Sequence, residues 1–164
     1  MDKPVSTPRF LLGRLVAWLL AVAVAYLLAS VTATQAGVAS LQAMGVDVGL
    51  GLRLSMTLRD IAGMAPMFLP MVAFALLIAF MTTALLCRWL GQWRLPLYLL
   101  AGAVAMVSIH LGLHAAFGIT PIAIARSAGG LALQGLSGAA GAFCYLWMLR
   151  RQPLDLTIDP GSMA

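Results

Sequence analysis

The chain has 164 residues, of which 62% are hydrophobic and only 9% charged, with a net charge of +5 and a mean hydropathy of +0.99. A soluble domain carries about 25% charged residues, so the composition excludes an ordinary water-facing globule and indicates an integral membrane protein. It also excludes a nucleic-acid-binding role, because the basic residues stand singly at the ends of apolar runs and not together on one face.

Residues 1–10 form a short N-terminal segment with Lys3 and Arg9, and Arg14 follows just inside the first apolar run, 11–30. That run reaches the roughly 20 residues that cross a bilayer. Its length and the poor small-residue pattern near Thr34 favour a retained signal anchor over a cleaved signal peptide. Gly13, Ala17, Ala21, Ala25 and Ala29 recur at every fourth position and continue to Ala33, a seam along which a second helix can approach closely.

Residues 31–65 are expected to be an outer loop. Within it, residues 46–59 alternate between apolar and polar or glycine positions without a break: Val46, Val48, Leu50, Leu52, Leu54, Met56 and Leu58 on one side, Asp47 to Arg59 on the other. Period two predicts a β-strand with one greasy face. Fourteen residues would make a long strand, so a bend at Gly49 or Gly51 is expected, followed by a short helix over 58–64. An isolated strand leaves its backbone groups unpaired. The preferred partner is the alternating segment 118–126, with Ile122 and Ile124; a strand of a neighbouring chain is the second choice.

The second span is expected over 66–90, with Pro66 near its start and Pro70 as a site of kinking. Met64, Met67 and Met71 share a helical face at its outer end. The third span, 96–117, places Met106, His110 and His114 on one face in its outer half. Thioether and imidazole suit Cu(I), so these six residues are a candidate copper site. Flexible methionine filler and a hydrogen-bonded histidine pair are the competing structural explanation, and no cofactor is otherwise expected. Cys87 and Cys144 lie in separate apolar runs, without metal-ligand spacing, and are read as inert thiols.

The fourth span, 129–149, carries Gly130, Gln134 and Gly138 at the spacing of a packing face, and a cytoplasmic tail occupies 150–164. With the N-terminus inside, Lys3, Arg9, Arg14, Arg88, Arg94, Arg150 and Arg151 are cytoplasmic and Arg53, Arg59 and Arg126 are outside. Asp47, Arg53, Arg59, Asp60 and Arg126 then form an outer charged group suited to a partner or a lipid head group.

The expected architecture is therefore an all-α integral membrane protein: a four-helix transmembrane bundle over 11–149, with a small β element made by its outer loops. The scarcity of Lys and the abundance of Ala, Leu, Gly and Arg suggest a GC-rich bacterial genome, hence the inner membrane with both termini cytoplasmic. No GxSxG, HExxH, P-loop or GxGxxG motif occurs and Glu is absent. These features favour a non-enzymatic accessory, assembly or scaffold protein. Its partners would be the bilayer and another membrane protein or a second copy. The alternative is a small transporter or copper-handling protein, and a lipid-binding membrane enzyme is a more distant one.

Overall fold

A computed structural model describes residues 7–117, 124 and 127–151. They form four long helices: α1 (Thr7–Ala43), α2 (Leu50–Leu86), α3 (Arg94–Phe117) and α4 (Ala128–Arg151). All four are long and apolar enough to cross a membrane.

The helices follow one another around a ring. α1 packs on α2, α2 on α3, α3 on α4, and α4 closes back on α1. Paired contacts run in opposite senses for each neighbouring pair, Tyr26–Phe68 with Thr34–Asp60, Phe68–His110 with Phe80–Tyr98, His110–Gln134 with Gly102–Gly138, and Gln134–Ala29 with Gly141–Ala21, so every neighbour is antiparallel.

Small residues set how closely α4 approaches. A Cβ built on Gly141 would lie 2.7 Å from the Ala21 carbonyl oxygen of α1 and 2.9 Å from the Ala25 Cβ. On the α3 side, Gly138 faces Gly102, and a Cβ on Gly102 would come within 2.9 Å of the Ala142 Cβ. Ala17, Ala21, Ala25 and Ala29 are fully buried, as are Gly130, Gln134 and Gly138; Gly13 is half-buried. In lipid, where apolar surface gains little from leaving the solvent, such backbone proximity is a main source of helix association.

At the opposite end from Arg94, α1 and α2 form a hairpin. α1 stops at a left-handed glycine, Gly45, with φ of 84°. The Gly45 N–H donates to the Gln42 carbonyl at 3.0 Å and the Val46 N–H to the Leu41 carbonyl at 3.1 Å, the paired bonds of a Schellman turn.

Several expectations are corrected here. Among the described residues there is no strand. Residues 50–59 are the first turns of α2, and only 46–49 are irregular. Leu, Met and Arg favour helix, and only Thr57 in this stretch is β-branched. Helical hydrogen bonds also satisfy the backbone without a second strand. The intended strand partner, 118–126, lies outside the described residues except for Ile124, as does Arg126. Pro66 and Pro70 lie inside α2, not at its start, and the helix continues through both. The segments 31–43 and 50–65 are continuous with α1 and α2.

This continuity makes the ring uneven. At 37 residues each, α1 and α2 are about 55 Å long, whereas α3 and α4, at 24 residues each, are about 36 Å. Phe68 stands level with His110, so the end of α3 at Phe117 falls about level with Ile61. The hairpin continues beyond it.

Candidate functional site

Two polar arrangements interrupt this otherwise apolar structure. The first is a buried layer in the half of the bundle nearer the hairpin. Gln134 of α4, fully buried, donates from Nε2 to the Ala29 carbonyl oxygen at 3.1 Å and to Thr32 Oγ1 at 3.3 Å, both on α1. A carbonyl oxygen only accepts, so this bond fixes which way the amide faces. The Gln134 Oε1 then meets His110 Nε2 of α3 at 3.3 Å. An amide oxygen also only accepts, so Nε2 carries the hydrogen and Nδ1 presents a lone pair. That Nδ1 is buried without a hydrogen-bond partner among the described residues, and so is Ser30 Oγ, next in sequence to Ala29. Phe68 of α2 lies beside the imidazole, ring centres 5.8 Å apart, and the Tyr26 ring of α1 lies 6.1 Å from that of Phe68. Tyr26 in turn donates its hydroxyl to the Ile61 carbonyl oxygen. One layer thus draws a polar or aromatic side chain from every helix.

The second arrangement is a ladder inside the α1–α2 hairpin. Arg53, Thr57 and Asp60 lie at i, i+4 and i+7 and face α1. Arg53 Nε donates to Gln35 Oε1, Gln35 Nε2 to Thr57 Oγ1 at 3.3 Å, and Thr34 Oγ1 to Asp60 Oδ2 at 2.8 Å. The large apolar residues of the same segment face outward: Leu50 is 85% exposed, and Leu54 and Leu58 remain 63% and 59% exposed. On this hairpin Arg53, Thr57 and Asp60 are half-buried against the other arm, Val38 and Val48 are buried beside them, and the leucine stripe faces outward together with the exposed Asp47 and Arg59. The signal was present in the sequence as the 53–57–60 spacing, which the period-two pattern of the leucines concealed.

The structure divides the proposed copper ligands. His110 and Met106 are buried, Met64 and Met71 are half-buried, and His114 and Met67 are exposed. Among the described residues no group of three or more His, Cys, Asp or Glu side chains converges. The proposed outer charged group differs in burial among its described members. Arg53 and Asp60 belong to the ladder, whereas Asp47 and Arg59 are exposed. Cys87 and Cys144 are free and half-buried.

The other end of the bundle is basic and aromatic. Phe80 of α2 stacks on Tyr145 of α4 at 4.7 Å, and Tyr98 of α3 completes the cluster, 5.6 Å from Phe80 and 5.7 Å from Tyr145. The Arg151 guanidinium lies 3.9 Å from the centre of the Trp147 ring. Arg14, Arg88, Arg94 and Arg150 are at the same end.

Comparisons with protein-family models, curated proteins and solved structures find no match to the chain.

Proposed function

We propose that the protein is a multi-pass bacterial inner-membrane protein, with both termini cytoplasmic, that acts as an accessory, assembly or scaffold subunit. In this reading the α1–α2 hairpin is the element that engages another membrane protein. One observation carries it: the hairpin directs Arg53, Thr57 and Asp60 inward while Leu50, Leu54 and Leu58 face out. Apolar side chains repeated at i, i+4 and i+8 form a stripe that a partner helix can cover. The internal hydrogen bonds keep the two arms together, so that stripe is presented on a braced support. The long helices supply the reach, since α1 and α2 exceed the roughly 30 Å hydrocarbon core.

The test uses the full chain isolated in mild detergent from its native membrane. A stoichiometric membrane-protein partner is expected, and Leu50→Ser with Leu54→Ser and Leu58→Ser should release it without lowering the chain's own melting temperature. Recovery of the chain alone, or a complex indifferent to the triple substitution, overturns the proposal.

A second reading, copper handling, is favoured by the unpartnered Nδ1 of His110 and the fully buried Met106 one turn away. It requires stoichiometric copper in the purified protein that disappears in the His110→Ala, His114→Ala variant.

A further inference from the structure

We propose that an alkali-metal cation binds between α1 and α2, held by the Asp60 carboxylate, the Thr34 hydroxyl, and the hydroxyl and carbonyl oxygens of Ser30. The inference uses the membrane-spanning reading but not the scaffold role, and the purified chain alone tests it.

The oxygens are already gathered. Tyr26, Ser30 and Thr34 stand at i, i+4 and i+8 of α1, so they share one face. That face meets a single turn of α2. The Tyr26 hydroxyl donates to the Ile61 carbonyl oxygen, and Thr34 Oγ1 lies 2.8 Å from Oδ2 of Asp60, the preceding residue. Ser30 lies between these two contacts and is enclosed by them. The three α1 residues are buried, at 3%, 0% and 4% exposure. The Ser30 carbonyl oxygen is 3.0 Å from the same Thr34 Oγ1.

Two features of this cluster point to a missing positive charge. The first is a shortage of hydrogen. Thr34 has one hydroxyl hydrogen but two acceptors within 3.0 Å, the Asp60 carboxylate and the Ser30 carbonyl. Whichever it serves, the other faces a hydroxyl oxygen with no proton between them. The second is Ser30 Oγ, which is fully buried and has no hydrogen-bond partner among the described residues. Hydroxyls in helices commonly bond back to the carbonyl four residues earlier. Thr34, Ser40, Thr57 and Ser137 do so, and Ser30 does not. A buried polar atom without a partner marks a place where an ion or water completes the structure.

Ligand type and charge select the ion. Carboxylate, hydroxyl and carbonyl oxygens are hard ligands that suit alkali and alkaline-earth cations, not Cu(I). Asp60 supplies one negative charge. Arg53, two turns away, is committed to Gln35, and Arg59 is exposed. A monovalent cation therefore neutralises the carboxylate, whereas a divalent one would leave a net positive charge at the edge of the hydrocarbon, where it is costly. Because Ile61 is about level with the end of α3, the ion reaches the cluster from the hairpin end without crossing the bilayer.

The experiment holds the full chain in mild detergent at constant ionic strength while sodium chloride replaces choline chloride. Radiolabelled sodium should bind at one ion per chain, and the melting temperature should rise with the logarithm of sodium concentration. Asp60→Asn should weaken binding by at least about tenfold. Ser30→Ala separates a ligand from a packing residue. In choline it should be no less stable than the unsubstituted chain, because it loses only an unsatisfied hydroxyl, yet its response to sodium should disappear. Thr34→Ser keeps the hydroxyl and should keep the response. If Asp60→Asn does not fold, the two variants on α1 still decide. Equal stabilisation by choline and sodium overturns the proposal, as does a sodium response that survives Ser30→Ala. A melting temperature that follows pH but not sodium also overturns it, since a proton would then supply the charge. Binding of calcium in place of sodium overturns it on the charge argument.

Discussion

At the residue scale, Gln134 has the most consequential contacts. Its single amide bonds to α1 and α3 while its own backbone belongs to α4, so three helices share one polar group. Its position at helical spacing from Gly130 and Gly138 marks a face, and that much is legible in the sequence. Its reach to the Ala29 carbonyl, 105 residues away, is not, because no local pattern encodes which helix stands opposite. Interhelical hydrogen bonds in membranes average about 0.6 kcal/mol each, but a buried N–H left without an acceptor costs about 1–3 kcal/mol. Gln134→Leu is therefore expected to lower unfolding stability in mixed micelles by about 1–3 kcal/mol. Nitrogen NMR should show the His110 imidazole as the Nε2–H tautomer in the unsubstituted protein. A population held in the Nδ1–H form would contradict the assigned orientation of the amide.

At the scale of one element, α2 shows how a clear periodicity can mislead. Alternation across residues 46–59 predicts a strand because period two implies one wet and one dry face. That implication presumes water on one side. Here the outward positions Leu50, Leu52, Leu54 and Leu58 are all exposed, and the positions turned towards α1 are Arg53, Thr57 and Asp60. The polar stripe marks the side turned towards α1, and of the alternating apolar positions Val48 is buried and Met56 half-buried. Spin labels placed singly from 50 to 60 should report accessibility with a period of about 3.6 residues; a period of two would restore the strand. The hairpin turn also depends on Gly45. A residue with a Cβ in its left-handed conformation costs about 1–2 kcal/mol, so Gly45→Ala should raise hydrogen exchange in 40–50 more than in α3. Uniform exchange after that substitution would show that the turn does not govern the arms.

At the scale of the molecule, the uneven helix lengths and the unequal ends define the orientation question. One end gathers arginines and aromatic rings, and the other carries the hairpin with its internal ladder. The distribution of Lys and Arg predicts the basic end inside. Single-cysteine labelling in intact cells should modify Ser40→Cys and Ser55→Cys from outside and leave Gln92→Cys protected; the opposite pattern would invert the protein. Packing at this scale rests on close approach at Gly138 and Gly141, where even a methyl group meets a neighbouring helix. The repeats of small residues locate such faces, but Gly102, the α3 partner of Gly138, belongs to no repeat and emerges only from the assembled bundle.

The sequence by itself determined that the chain is apolar enough for lipid and contains four long helical segments, because hydropathy and length are local sums. Tertiary structure alone decided that residues 50–59 extend α2, that Arg53, Thr57 and Asp60 face α1, and that Gln134 meets both Ala29 and His110. Each of these depends on which surface stands opposite. In a chain whose exterior is apolar, hydrophobicity no longer distinguishes inside from outside, and polar contacts and backbone proximity set the packing instead.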